Sequence, residues 1–230
     1  MTYVMSDIHG CYNKYRCLLE KIGFCDDDEL YILGDVIDRD GGGIDILFDM
    51  MERENVHPFL GNHERMMLSV LSKTNTYLTA EQMNSLKELY YVWVELNGGR
   101  VTVDAYKGLC EQDKERIIRY LDSFEIFDEI KVAGRVFFLS HAGIVNFDPK
   151  KDICEYDPAD FISGRMDYSK KLFDDKYVVS GHTPTAFIDY AYKGRIWQKN
   201  NHIALDCGAT FGNPLGCVCL ETLEEFYYNV

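Results

Sequence analysis

The first 70 residues alternate between short apolar runs and longer segments with helical spacing of their apolar residues. Short apolar runs bounded by turn residues indicate buried strands, and spacing near 3.6 residues indicates helices. Strands are predicted at 2–6, 29–35 and 56–64, and helices at 11–22, at 42–54 and from about Arg65. Because strand–helix–strand repeats build parallel sheets, ligands are expected at the carboxyl ends of these strands.

The segment from about 73 to 125 breaks this rhythm. It contains polar stretches with helical spacing, such as "TAEQMNSLKELYYVWVELN" and "EQDKERIIRYLDSF", and it shows no strand pattern. We therefore predict a helical insertion at about 73–125. An insertion at the ligand edge of a sheet is expected to shape access to the site.

The remainder of the chain is predicted to be rich in strands. Apolar runs occupy 125–133 and 135–143 on either side of Gly134, and further runs occupy 176–184, 195–209 and 216–230. The predicted fold class is α/β, with a mixed sheet or two packed sheets flanked by helices. At 230 residues the chain is expected to form a single domain over 1–230.

Composition supports a folded protein outside the membrane. The chain is 47% hydrophobic and 27% charged, as in globular domains. It has no apolar run near the roughly 18 residues of a membrane span, and "MTYVMSD" lacks the features of a signal peptide. We expect a cytoplasmic protein with no membrane partner.

The net charge excludes one class of partner. A formal charge of −14 repels the phosphate backbone of long nucleic acids. A smaller phosphate compound could bind only where positive charge is locally concentrated. Oligomeric partners are left open.

Potential ligands follow five of the predicted strands. Strand alternation would place Asp7 and His9 on the same side of the chain. Taken singly, each motif also fits a turn, or a helix cap in the case of Asn62. Together they predict one site at the carboxyl edge. The residues are Asp7, His9, Asp35, Asp38, Arg39, Asn62, His63, His141 and His182.

This set has the chemistry of a two-metal centre. Imidazole nitrogens with carboxylate and amide oxygens suit first-row ions such as manganese, iron or zinc. We predict Asp7 and His9 at one ion and Asp35 bridging both. The second ion is predicted to be held by Asn62, His141 and His182. Two such ions about 3.5–4 Å apart can activate a shared water for in-line displacement.

Charge and proton supply both favour a phosphate substrate. Two divalent ions outweigh the charges of Asp7 and Asp35, so the pocket is expected to be positive. Arg39 adds a planar donor fork that suits phosphate oxygens. His63 can supply a proton to the leaving oxygen, with Asp38 accepting its other N–H.

The motifs "DIHG", "GDVIDR", "GNHE", "HAG", "GHTP" and "LDCGATFGNPLGCVCL" resemble the calcineurin-like metallophosphoesterase superfamily. Within it, they are similar to PPP-type serine/threonine phosphatases of the compact bacterial and bacteriophage-lambda type. The resemblance implies an α/β/β/α sandwich, a dimetal centre and direct attack of a metal-bridging hydroxide on phosphorus, without a phosphoenzyme.

The resemblance also implies roles for individual residues. It makes Asp38 and His63 an acid pair, and it makes Arg39 a phosphate clamp with Asn62 also at the substrate. The family's second phosphate-binding arginine usually follows a tryptophan. Arg165 in "FISGRMDY" is the best candidate here, although it lacks that tryptophan.

The expected activity is hydrolysis of phosphoserine or phosphothreonine in proteins, with small phosphate esters as further substrates and manganese as the expected metal. The alternative is symmetrical hydrolysis of diadenosine tetraphosphate. The second aspartate of "GDVIDR" favours the phosphatase, because nucleotide hydrolases of similar fold tend to lack it. A non-catalytic metal-binding module is disfavoured, since Asp38 and His63 are not needed to hold metal.

Overall fold

The computed structural model describes residues 1–72 and 79–229. The strands are β1 (Thr2–Met5), β2 (Glu29–Ile32), β3 (Val56–Pro58), β4 (Phe127–Val132), β5 (Arg135–Ser140), β6 (Lys176–Ser180), β7 (Trp197–Lys199), β8 (His202–Ala204), β9 (Leu215–Cys219) and β10 (Glu225–Tyr228). The helices are α1 (Tyr12–Ile22), α2 (Gly43–Met51), α3 (Asn62–Leu71), α4 (Ala80–Tyr91), α5 (Arg100–Lys107), α6 (Glu111–Asp122), α7 (Ala159–Ile162) and α8 (Thr185–Ile188). Among these residues, no helix is long and apolar enough to cross a membrane.

The strands form two mixed sheets of five strands each. The first has the order β10-β9-β1-β2-β3, with β1, β2 and β3 parallel and β9 antiparallel to its neighbours. The second has the order β4-β5-β6-β8-β7, with β5, β6 and β8 parallel. The predicted α/β class with mixed sheets is confirmed.

Three hydrophobic clusters define the layers. One lies between the sheets and joins Val4 and Val218 of the first sheet to Phe137 and Val179 of the second. Another packs the first sheet against α1, α2 and α3, and a third packs the second sheet against α7. Two sheets face to face, each covered by helices, give the predicted α/β/β/α sandwich.

The predicted insertion is helical in its described part. Between β3 and β4 the chain forms α4, a π-helical segment (Val92–Leu96), α5 and α6. Its first residues, 73–78, lie outside the described part of the chain. Trp93 and Val103 of this insertion are buried in the same cluster as the helices of the first sheet. The insertion is therefore packed into the body of the protein.

A partly buried polar contact joins α1 to α2. The Tyr15 hydroxyl donates to Asp49 Oδ2 at 2.8 Å, and Arg53 donates to both carboxylate oxygens at 2.8 and 3.1 Å. Burial would raise the pKa of Asp49, but the hydrogen bonds from Arg53 and Tyr15 outweigh it and lower the pKa. The ionised carboxylate is thus favoured in the folded state.

We expect Asp49→Asn to lower the free energy of unfolding by about 1–2 kcal/mol near neutral pH, because charge-assisted hydrogen bonds are lost. The folded-state pKa is depressed, so this contribution exists above the unfolded pKa of about 3.9 and disappears as pH falls through the folded value. Urea denaturation between about pH 7 and pH 3 should show the gap to wild type closing in acid. Asp104→Asn, at an exposed site on α5, is the control. A gap independent of pH would contradict the prediction.

Candidate metal centre

Loops at the carboxyl ends of five strands meet at one edge of the two sheets. The structure places Asp7 and His9 after β1, Asp35, Asp38 and Arg39 after β2, Asn62 and His63 at the start of α3 after β3, His141 after β5, and His182 after β6. Parallel strands bring their carboxyl ends to one edge, which explains why residues distant in the chain meet here.

Left-handed backbone conformations are concentrated in these loops. Eleven non-glycine residues of the described chain have positive φ, and six of them belong to the predicted site. The six are Asp7 (53°), His9 (46°), Asp35 (53°), Asp38 (71°), Arg39 (68°) and His182 (63°). Each such conformation costs about 1–3 kcal/mol and persists where the surroundings enforce it, typically at functional sites.

The predicted reason for the placement of Asp7 and His9 is wrong. β1 ends at Met5, and both residues lie in the loop beyond it with positive φ. Left-handed turns, not strand alternation, therefore aim these side chains at the site.

Two groups of donor atoms could each hold a metal ion. One contains His9, Asp35 and His63, and the other contains Asp35, His141 and His182, with the donor atoms of each group within 4.8 Å of one another. Asp35 belongs to both groups, as its predicted bridging position requires. Asp7 belongs to neither, and its Oδ2 accepts the backbone N–H of His182 at 2.9 Å.

The first group contains a nitrogen that the described residues leave without a partner. His9 Nδ1 donates to the carbonyl of Ile37 at 3.0 Å. Its Nε2 lies 3.5 Å from Asp35 Oδ2 and, although buried, has no hydrogen bond. Burial lowers the pKa of His9 to about 3, so the ring is neutral, as a metal ligand must be. A cation between His9 and Asp35 would satisfy this nitrogen.

The second group is crowded with acceptor atoms. His141 Nδ1 donates to the carbonyl of Leu33 at 2.6 Å, as backbone carbonyls commonly orient metal-binding imidazoles. Its Nε2 lies 3.1 Å from Asn62 Oδ1, 3.2 Å from His182 Nδ1 and 3.4 Å from Asp35 Oδ1. One proton on Nε2 cannot satisfy three acceptors. A metal ion bound among these atoms would satisfy all of them, because it accepts a lone pair from each.

Electrostatics within this group follow from its carboxylates. Burial alone would lower the pKa of His141, but Asp35 and Asp7 outweigh it and raise the pKa to about 10, so a metal ion bound at Nε2 would take the place of the proton on that nitrogen. Burial would raise the pKa of Asp35, yet the neighbouring imidazoles hold it well below its usual value. Asp35 is therefore ionised and available as a ligand. Together the donors fit first-row metal ions.

His63 belongs to the first group and also contacts Asp38. Its Nδ1 is 2.7 Å from Asp38 Oδ2, while its Nε2 is 3.8 Å from Asp35 and 3.3 Å from Arg39 Nη2. Burial would lower the pKa of His63, but the carboxylates of Asp35 and Asp38 outweigh it and raise the pKa. The structure therefore brings the predicted acid pair and the predicted phosphate clamp together.

Two residues of the insertion complete the surroundings of Asp38. The indole N–H of Trp93 donates to Asp38 Oδ2 at 2.8 Å, and the Thr102 hydroxyl donates to Oδ1 at 2.6 Å. Thr102 Oγ1 also accepts the backbone N–H of Asp38 at 3.0 Å. Neither residue was predicted from the sequence, because both are far from Asp38 along the chain and meet it only through the packing of the insertion.

Glu64 was also missed as a site residue. Its fully buried carboxylate accepts the backbone N–H groups of Asp35, Gly61, Val36 and Ile37 at 2.9, 3.0, 2.8 and 3.3 Å. It thereby fixes the loop that carries Asp35. The alternative of Asn62 as helix cap is wrong, since the N-cap of α3 is Gly61 and the Asn62 amide faces His141.

Arg165 lies at the edge of the site, where its role stays a prediction. Its side chain is exposed, and its guanidinium carbon is 5.1 Å from the centre of the Phe187 ring. Two other histidines lie outside both donor groups. His57 pairs with Glu29 at 2.6 Å, and His202 Nε2 donates to the carbonyl of Lys170 at 2.7 Å.

Comparison with protein-family models agrees with this geometry. The model of the calcineurin-like phosphoesterases matches residues 2–209. The chain belongs to this family. As a calcineurin-like phosphoesterase it is a metal-dependent hydrolase of a family that uses a dimetal centre, and its two donor groups sharing Asp35 could each hold a metal ion.

Individual relatives of this phosphoesterase carry nucleotide-hydrolase names. The asymmetrical bis(5'-nucleosyl)-tetraphosphatase PrpE of Geobacillus thermodenitrificans is 26% identical over 243 residues, covering 92% of this chain and 87% of the relative. A symmetrical bis(5'-nucleosyl)-tetraphosphatase of Buchnera aphidicola is 40% identical over 158 residues, covering 66% of this chain and 46% of the relative. A crystal structure provisionally named a diadenosine tetraphosphatase shares the fold, with a TM-score of 0.70, 15% identity and coverage of 99% and 92% of the two chains.

Proposed function

We propose that this phosphoesterase hydrolyses the polyphosphate chain of a bis(5'-nucleosyl) tetraphosphate. The convergence of two donor groups that could each hold a metal ion, with Arg39 beside His63 at the same edge, carries the hydrolytic part of the proposal. The names of relatives that cover most of the chain support the substrate. The alternative predicted from the sequence was the symmetrical form of this reaction. The relatives include symmetrical and asymmetrical enzymes, and their names favour this substrate over a phosphoserine or phosphothreonine protein.

The metal ligands we propose are those predicted from the sequence. Asp7, His9 and Asp35 would hold one ion, and Asp35 would share the other with Asn62, His141 and His182. Manganese is our first candidate, with iron or zinc as alternatives. When bound, such ions would activate water and offset the negative charge of the phosphates.

The remaining chemistry is assigned to side chains of the chain itself. Arg39 and His63 lie 3.3 Å apart, so both can reach the same phosphoryl group. Arg39 would orient the phosphate oxygens through its planar fork. As water adds to phosphorus and the bond to the bridging oxygen breaks, His63 would give the Nε2 proton to the leaving oxygen. Asp38 would hold the ring through Nδ1–H throughout.

Product analysis tests the substrate. On manganese-loaded protein, we expect hydrolysis of diadenosine tetraphosphate to be at least about tenfold more efficient in kcat/KM than dephosphorylation of a phosphoserine peptide. Two ADP molecules would indicate a symmetrical cut, and ATP with AMP an asymmetrical one. Faster release of orthophosphate from the peptide would overturn the proposal in favour of the protein phosphatase.

Trp93 is proposed to position Asp38, and through it His63. Trp93→Phe removes one N–H donor from a buried carboxylate while keeping an aromatic ring, so we expect kcat to fall about 10- to 100-fold with KM little changed. Metal content by elemental analysis should match the wild type. Thr102→Ser, which keeps the hydroxyl on Asp38, is the matched control and should stay within about threefold. A change confined to KM would argue against a positioning role.

A further inference from the structure

Two phenylalanines stand exposed beside the metal centre. Phe187 is 67% exposed and Phe211 is 66% exposed, and neither belongs to the three hydrophobic clusters. Both line one cavity of about 360 Å³, together with Arg39 and His182. Since folding gains little from rings left in water, a role in ligand binding is the natural explanation for the pair.

The backbone holds both rings in place. Phe187 lies in α8, where its N–H donates to the carbonyl of Pro184 at 2.7 Å. Phe211 ends a 3₁₀ turn, and its N–H donates to the carbonyl of Gly208 at 2.9 Å. Gly208 and Gly212 on either side have φ of 76° and 79°, a left-handed conformation that glycine adopts without strain. The rings are thus presented by short, hydrogen-bonded turns.

Each ring is accompanied by an arginine. The guanidinium carbon of Arg39 lies 5.5 Å from the centre of the Phe211 ring, and that of Arg165 lies 5.1 Å from the centre of the Phe187 ring. Aromatic faces beside cations are the combination that binds nucleotides, because the base stacks while the phosphates meet the charge. Arg39 Nη2 also lies 3.3 Å from His63 Nε2, and His182 of the second donor group lines the same cavity, so the cavity adjoins the candidate metal centre.

The size of the cavity favours one nucleoside. At about 360 Å³ it lies near the lower end of the usual 300–1,000 Å³ range for small-molecule sites. Its other walls include Pro184, Ala186 and Cys207, which offer apolar surface to a flat ring. A peptide phosphorylated on serine or threonine has no such ring beside its phosphate.

We propose that Phe187 and Phe211 bind one nucleobase of the substrate by stacking, with its phosphate chain passing Arg39 towards the donor groups around Asp35. This inference rests on the proposed function and adds a base subsite to it. It predicts that nucleotides bind more tightly than polyphosphates of the same length that lack a base.

The test compares ATP with inorganic tripolyphosphate, which differ by the adenosine. Binding of each to manganese-loaded protein is measured by calorimetry for wild type, Phe187→Ala, Phe211→Ala, and the tyrosine variants at both positions. Because each alanine variant loses base stacking, we expect it to bind ATP about 5- to 100-fold more weakly. We expect its KM for diadenosine tetraphosphate to rise by a similar factor. Tripolyphosphate affinity and metal content should not change, and tyrosine should restore ATP binding.

Tyr190→Ala is the matched control, because Tyr190 is 76% exposed and follows α8 but does not line the cavity. If ATP binds wild type no more tightly than tripolyphosphate, or if the alanine variants weaken both ligands equally or neither, the base subsite is overturned. A protein that fails to cleave diadenosine tetraphosphate but still shows the selective loss of ATP binding would refute the proposed function and leave the base subsite standing.

Discussion

Replacing Asp35 by Asn is expected to abolish metal binding and to lower kcat at least about a thousandfold, since metal ions contribute several kcal/mol to such reactions and each 1.4 kcal/mol is a factor of ten. Asp35 is the residue shared by both donor groups. Its Oδ2 lies 3.5 Å from His9 Nε2, and its Oδ1 lies 3.4 Å from His141 Nε2. An amide keeps the shape but loses the charge and one oxygen ligand, so both groups are weakened together.

Elemental analysis after manganese reconstitution measures the metal directly, and turnover of diadenosine tetraphosphate is followed on the same sample. The matched control is Asp40→Asn, the same change five positions along the chain, where the exposed side chain accepts the N–H of Gly41. We expect that control to keep its metal and to stay within about threefold in kcat. Two equivalents of metal in Asp35→Asn would show that the shared carboxylate is not a ligand.

Apolar spacing predicts most of the fold because it reports which face of each element is buried. The predicted helix at 11–22 is α1, and the runs at 2–6 and 29–35 contain β1 and β2. The start of α3 was misplaced by three residues. Gly61 and Glu64 form its cap through a buried network with the neighbouring loop, and such long-range hydrogen bonds leave no periodic signal.

The site likewise contains residues that the sequence predicts and residues that only the tertiary structure reveals. Its members at strand ends were predictable, because parallel strands deliver them to one edge whatever the details of packing. Trp93 and Thr102 were not, since they lie 55 and 64 residues from Asp38 in the chain and meet it only through the packing of the insertion. The "GDVIDR" argument for a protein phosphatase concerned Asp38. Asp38 contacts His63, Trp93 and Thr102. Its presence therefore concerns how His63 supplies a proton, and it does not distinguish a phosphoprotein from a dinucleotide substrate.

His63→Asn is expected to retain metal and to lower kcat about 10²- to 10⁴-fold, the range of a positioned general acid. Asparagine keeps the backbone N–H that donates to Asp35 Oδ1 at 3.1 Å, but it has no ring proton for the leaving oxygen. The loss should be smaller with p-nitrophenyl phosphate, whose leaving group departs readily without a proton. His57→Asn, at the histidine paired with Glu29, is the control and should leave turnover unchanged.

Metal content decides between two roles for His63, because geometry permits both. Its Nε2 is 3.8 Å from Asp35 Oδ2, close enough for His63 to belong to the first donor group, while its Nδ1 is fixed by Asp38 at 2.7 Å. A ligand would be needed equally for every substrate, and its removal would release metal. A proton donor would be needed in proportion to the basicity of the leaving group. Loss of metal, with equal loss of activity towards diadenosine tetraphosphate and p-nitrophenyl phosphate, would therefore move His63 from the acid pair to the metal centre.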